Sequence, residues 1–272
     1  MTAARRALVA LDIDGTVLHE DGTLSDAVRE QILRVRDAGV EVTLATGRSV
    51  SMTLPVVARL GIQPEYVVCS NGAITMRRDE TAEDGYARWH VETFDPTQVL
   101  TTIHENLEGA SYAVEDEHGA YRFEGRFPEG ALGTTSEQVS FEELLRTGAT
   151  RVVVISPEHD TEEFLQVVER MGLHQVSYNI GWTAWLDIAP DGVNKGTALE
   201  RVAEELGADR DAVVVMGDGR NDIDMFGWAV RGGGTAVAMG QAPPEVVEAS
   251  SEQTSTDLED GVAAALRRLF PG

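Results

Sequence analysis

Lysine is almost absent from this chain: of its 22 basic residues, Lys195 is the only one that is not arginine. Cysteine is equally scarce. A lone Cys69 excludes an intrachain disulfide and a cysteine-based zinc site, and it fits a reducing cytoplasm. The six histidines, at 19, 90, 104, 118, 159 and 174, lack the spacing of metal ligands. Long apolar runs are missing as well. The run 7–11 stops at Asp12, too short for a signal peptide, and no stretch reaches membrane-spanning length. Positive charge is short throughout: 46 acidic residues leave a net charge of −24 at pH 7, which argues against nucleic acid or an anionic membrane as a partner. A small anionic substrate stays open, because one cation-bearing pocket can override the global field.

What is present reads as a folded α/β chain, long enough at 272 residues for one large domain or two small ones. Short apolar runs at 7–11, 40–45 and 66–69 alternate with helices predicted over 25–38 and 50–60. The rhythm resumes with a helix at 195–206, a strand at 212–216, a helix at 222–228, a strand at 235–239, and helices at 244–249 and 258–270. Buried runs alternating with helices predict a parallel sheet covered on both faces. Residues 80–188 differ in texture, with 21 acids against 6 arginines and three of the four tryptophans, Trp89, Trp182 and Trp185. Hairpin-like pieces at 111–115 and 120–123, strands at 150–155, 176–179 and 184–188, and a helix at 161–171 suggest an inserted α+β domain. The core would then be discontinuous, 1–79 and 189–272.

Each core strand is expected to end in a polar cluster: Asp12-Ile13-Asp14-Gly15-Thr16, Thr46-Gly47-Arg48, Ser70-Asn71-Gly72, and Gly217-Asp218-Gly219-Arg220-Asn221-Asp222. In an open parallel sheet such ends share one crevice. Lys195 arrives at the same edge, opening a helix with Asn194 as N-cap, Gly207 as stop, and Ala198, Leu199, Val202, Ala203 and Leu206 as its apolar stripe. Taken alone, a lysine belongs outside, and a cation is mildly unfavourable in the first turn of a helix. An anion beside it reverses that. A compact ammonium fits between a carboxylate and a phosphate where a guanidinium fork does not.

Asp12 and Asp14, with Asp218 as a third oxygen donor, suit a hard cation such as Mg²⁺. A calcium-binding loop is excluded, because its sixth position would be Val17 rather than glycine and its twelfth Thr23 rather than glutamate. A glycosyltransferase-type acidic pair leaves Lys195, Thr46 and the second acidic cluster unexplained. A carboxylate held by Mg²⁺ and a lysine can attack phosphorus and form an aspartyl phosphate. The phosphoryl oxygens then need their charge neutralised. Mg²⁺, Lys195, the Thr46 hydroxyl and backbone N–H groups near Gly15 and Gly47 would do so.

Together, the Asp12-x-Asp14-Gly15-Thr16 box, Thr46, Lys195 and the Gly217-Asp218…Asn221-Asp222 box resemble the four signatures of the haloacid dehalogenase superfamily of phosphohydrolases, in the right order and along the whole chain. The short segment after the first motif and the long insertion between Gly72 and Asp191 are similar to its Cof-like branch. The resemblance implies a Rossmann-like doubly wound parallel sheet with an inserted α+β cap. It implies Asp12 as nucleophile and Asp14 as the acid that protonates the leaving alcohol, then the base that activates water. It places a metal on Asp12, Asp218 and the Asp14 carbonyl, supported by Asp222, with Asn221 touching a phosphoryl oxygen or orienting Lys195. Gln241 departs from the family's frequent asparagine. The expected activity is Mg²⁺-dependent hydrolysis of a small phosphorylated metabolite, sugar phosphates foremost. A phosphomutase and a non-enzymatic ligand-binding protein are the rivals. Arg48 is as consistent with a surface position as with a substrate contact, and Asn71 with a turn. Trp182 and Trp185 read more readily as core than as a stacking wall, and His19 as loop surface. Nothing indicates an oligomeric state.

Overall fold

A computed structural model describes residues 6–133, 135–156, 162, 164, 166, 171, 176–180 and 184–271. Strand β1 (Leu8–Leu11) is fully buried, and its alternation splits the core: Val9 and Leu11 face one layer of helices, Leu8 and Ala10 the other. The chain then runs through α1 (Asp26–Asp37), β2 (Glu41–Leu44), α2 (Val50–Leu60) and β3 (Tyr66–Cys69). Helix α1 begins at Ser25, whose hydroxyl accepts from the Ala27 N–H at 3.2 Å, and it turns Val28, Ile32 and Val35 inward at helical spacing. Beyond β3 follows a hairpin of β4 (Ile74–Arg78) and β5 (Tyr86–Val91), so pairing with the core continues past residue 79. Tyr66 and Trp89 pack edge to face across it, ring centroids 4.9 Å apart.

The insertion contains α3 (Thr97–Asn106), β6 (Ser111–Glu115), β7 (Tyr121–Glu124), β8 (Ser136–Gln138), α4 (Phe141–Leu144), β9 (Arg151–Ile155), β10 (Val176–Ile180) and β11 (Trp185–Pro190). Its strands form one sheet in the order β10-β11-β9-β6-β7-β8, antiparallel except between β7 and β8. Leu100 and Ile103 of α3 pack on one face with Tyr112 and Leu186. The other face carries Tyr121, Val153, Ile155 and Trp185. The helix expected over 161–171 falls mostly outside the described residues, as do Trp182, His159 and His174.

The core resumes with α5 (Lys195–Leu206), β12 (Val213–Gly217), α6 (Ile223–Arg231), β13 (Thr235–Ala238), α7 (Pro244–Ala249), β14 (Glu252–Gln253) and α8 (Gly261–Leu269). Its sheet is parallel, in the order β14-β13-β12-β1-β2, and an Ala45–Val68 bridge adds β3 beyond β2. Helices α1, α2 and α8 cover one face, α5 and α6 the other, which makes the fold doubly wound. From β1 the chain winds outward to β3, and after the insertion it returns on the other side at β12. The loops after β1 and β12 therefore part at the switch point of the sheet, where a crevice opens.

Candidate active site

Lys195 departs furthest from its base rate. It is 0% exposed, and its Nζ lies 2.6 Å from Asp12 Oδ1 and 2.6 Å from Asp222 Oδ1. Local sequence puts it there. Asn194 Oδ1 accepts from the Thr197 N–H at 2.9 Å, and Thr197 Oγ1 accepts from the Asn194 N–H at 3.1 Å, so the helix start is locked from both sides. The predicted stripe of α5 is buried and Gly207 ends it in a left-handed conformation. Burial alone would lower the ammonium's pKa, but Asp12 and Asp222 overcome that and hold it raised.

Asp12 is held at the end of β1 by its N–H, which donates to the Met216 carbonyl at 2.9 Å. Burial pushes its carboxyl well above the ordinary value, against the pull of Lys195 and with help from Asp222, Asp218 and Asp14. Asp218 is pushed up to about 7, by burial first and Asp222 second. Asp222 is fully committed: Oδ1 to Lys195, and Oδ2 to the N–H groups of Asp218 at 3.0 Å and Gly219 at 2.9 Å. Ligand oxygens of Asp12, Asp218 and Asp222 all lie within 4.8 Å of one another. Three buried carboxylates facing one ammonium leave excess negative charge at the floor of the cleft. An oxygen-only donor set of that kind fits a hard divalent cation.

Gly15 closes this cluster. Its φ of +69° is left-handed, and a Cβ there would stand 2.3 Å from Asp218 Oδ2. Gly15→Ala is expected to cost about 1–2 kcal/mol from the backbone alone and to displace Asp218 as well. Thermal unfolding checks this; an unchanged melting temperature would contradict it. Gly72 serves the same purpose behind Lys195, since a Cβ there would meet the Asn194 carbonyl at 2.3 Å.

The second and third strand ends meet each other. Thr46, buried, donates its N–H to the Val68 carbonyl at 3.0 Å, and its Oγ1 accepts from the Arg48 N–H at 3.1 Å. Asn71 Oδ1 accepts from Asn221 Nδ2 at 3.0 Å, so Asn221 reaches Asn71 rather than Lys195. Gly47 leaves room for that pair, its missing Cβ 3.1 Å from Asn71 Oδ1. Ser70 and Asn71 both adopt left-handed backbone (φ 48° and 52°), which costs about 1 kcal/mol or more apiece unless the surroundings enforce it. Enforcement comes partly from the insertion: Ser70 Oγ donates to buried Glu115 Oε2 at 2.7 Å.

Asp14, more exposed, accepts from Arg48 through both oxygens, at 2.9 Å from Nε and 2.5 Å from Nη2. Gln241 Nε2 donates to the Gly15 carbonyl at 2.5 Å while its Oε1 accepts from the Asp257 N–H at 3.1 Å. The longer amide thus ties the first loop to the C-terminal turn. His19 lies 3.3 Å from Asp257, apart from the carboxylate cluster. These strand ends line a cleft of about 460 Å³, which Arg151, Trp185 and Asp187 of the insertion close from above. Sequence reasoning passed over Arg151 and Asp187. The available signal was a charge at Asp187 within an otherwise apolar strand, two residues from Trp185 and so on the same face.

A family model of haloacid dehalogenase-like hydrolases matches residues 9–266. The chain is a haloacid dehalogenase-like hydrolase. The hydrolase is 26% identical to the Bacillus subtilis 5-amino-6-(5-phospho-D-ribitylamino)uracil phosphatase YitU over 97% of both chains. It is 28% identical to a second Bacillus subtilis enzyme of that name, YcsE, over 96% of this chain and 94% of the other. The subclass IIB sugar phosphatase BT4131 has the same fold, with a TM-score of 0.81 at 20% identity, covering 96% of this chain and 98% of that one. Matched nearly end to end by phosphatases, this family member is an enzyme of the phosphatase kind. Among its described residues no helix is long and apolar enough to cross a membrane.

Proposed function

We propose that the enzyme is a Mg²⁺-dependent phosphomonoester hydrolase of small phosphorylated metabolites, sugar phosphates foremost, and that Asp12 carries the phosphoryl group in transit. The observation that supports this best is the buried Lys195 ammonium seated between Asp12 and Asp222 at 2.6 Å from each. In this reading residues 1–79 and 189–272 carry the chemistry, and the part of 80–188 beyond the β4–β5 hairpin covers the leaving group.

Mg²⁺ would be held by Asp12, Asp218 and the Asp14 carbonyl, with Asp222 fixing Lys195 and the Asp218 backbone beneath it. When bound it supplies positive charge to the phosphoryl oxygens. Lys195 keeps Asp12 oriented and adds the second positive charge. Asp12 attacks phosphorus while Asp14 gives a proton to the leaving oxygen; Asp14 then takes a proton from the water that releases phosphate. The Thr46 hydroxyl, the amide of Asn221 and N–H groups near Gly15 and Gly47 receive the phosphoryl oxygens. Arg48 occupies both Asp14 oxygens, so a protonated Asp14 requires the guanidinium to turn aside, toward the substrate.

Phosphate release from a panel of phosphorylated metabolites tests the reading. Turnover without a bisphosphate activator is expected, which separates hydrolysis from return of the group to substrate. Chelation should slow release by about tenfold or more and added Mg²⁺ should restore it. Indifference to chelator would remove the metal from the proposal.

A further inference from the structure

The arginines that line the cleft are already matched. Arg48 is paired with Asp14 at 2.5 Å, Arg220 with Glu245 at 2.6 Å, and Arg151 with Asp187 at 2.5 Å. Among the described residues, Lys195, a bound metal and an Arg48 turned off Asp14 would add positive charge, and all three belong to the strand-end side of the cleft. The far wall is built differently. Arg151 gives Nε and Nη2 to a single oxygen of Asp187, Oδ1, and its Nη1 to the Tyr121 hydroxyl at 3.1 Å. No described residue donates to Asp187 Oδ2. Buried Glu115 also interacts with Arg151, although burial raises its own carboxyl, so the wall offers no unmatched cation to a second anion. Trp185 lies two residues from Asp187 on β11 and also lines the cleft, with Phe127 edge-on to its ring at 6.4 Å. The Trp185 ring thus adjoins a cleft-lining carboxylate whose Oδ1 is held by Arg151 and whose Oδ2 receives no bond from a described side chain. An ionised acceptor held in that way makes charge-assisted bonds to hydroxyl or N–H donors.

Resting on the proposed phosphatase activity, we propose that Asp187 is the specificity-determining acceptor of the cap: it binds the hydroxyls of a neutral, polyhydroxylated leaving group lying along Trp185, and it excludes substrates with a second anionic group. The substrate class is therefore monophosphates of sugars and polyols, not bisphosphates or phosphorylated sugar acids.

Steady-state kinetics on ribitol 5-phosphate, p-nitrophenyl phosphate and fructose 1,6-bisphosphate test this with the full-length enzyme. Asp187→Ala should lower kcat/KM for ribitol 5-phosphate by about tenfold or more while p-nitrophenyl phosphate, which lacks hydroxyls, changes by less than about threefold. Asp187→Asn keeps an oxygen for Arg151 and decides the matter should the alanine variant fail to fold. It should raise the bisphosphate rate relative to ribitol 5-phosphate by about tenfold, a gain that a purely structural role would not produce. Unchanged ratios in an active enzyme, or equal losses on all three substrates, would overturn the assignment of Asp187 alone. A wild-type enzyme that releases phosphate from none of them would overturn the proposed phosphatase reading with it.

Discussion

Phosphate release by Asp12→Asn is expected to fall by about 10⁴-fold or more, because the variant lacks the oxygen that would carry the phosphoryl group. The fold is expected to survive. An asparagine oxygen can still accept from Lys195, which sits 2.6 Å from Asp12 Oδ1. The change also removes one negative charge from a site where burial and three neighbouring aspartates all push the carboxyl upward. The melting temperature without divalent metal should therefore be unchanged or higher. Activity and thermal unfolding must be read together. Undiminished hydrolysis removes the nucleophile assignment, whereas lost activity with a collapsed melting temperature would make Asp12 a structural residue.

How much of this could be read beforehand depended on distance along the chain. The start of α5 was legible because its determinants, Asn194, Thr197, the apolar stripe and Gly207, lie within one short segment. The strand ends were legible because each is a polar cluster directly after an apolar run, and one topological rule gathers such ends. Contacts between remote segments were not legible. Arg48 and Asp14 are 34 residues apart and Gln241 and Gly15 are 226 apart, and nothing local in either partner requires the pairing. Arg151 and Asp187 look like ordinary strand charges until the sheet turns that face toward the core. The change in composition near residue 80 marks an acidic turn, with the Asp79 N–H bonded to the Gly85 carbonyl at 2.9 Å, while the hairpin itself continues to Val91. Acidity signals solvent exposure, and a hairpin tip is as exposed as a domain boundary.

Lys195→Arg should lose at least ~100-fold in turnover, although the charge is kept, because removing one preorganised charge-stabilising donor costs about that much. The site has no room for the larger group. Lys195 is wholly enclosed, with its Nζ 2.6 Å from both Asp12 Oδ1 and Asp222 Oδ1, so a guanidinium has no space between the two carboxylates. Lys195→Met separates shape from charge. It fits the same channel but strands Asp12 and Asp222 without their cation, and breaking a buried pair in this way costs about 3–5 kcal/mol. The methionine variant should therefore melt lower than wild type at neutral pH, and Mg²⁺ should recover part of the loss by binding the carboxylates that the ammonium no longer balances. Calorimetry with and without Mg²⁺ reads this directly. Near-normal turnover in Lys195→Arg would show that the ammonium's compactness is irrelevant to the reaction. An Mg²⁺-insensitive melting temperature in Lys195→Met would show that Asp12 and Asp218 do not hold a cation.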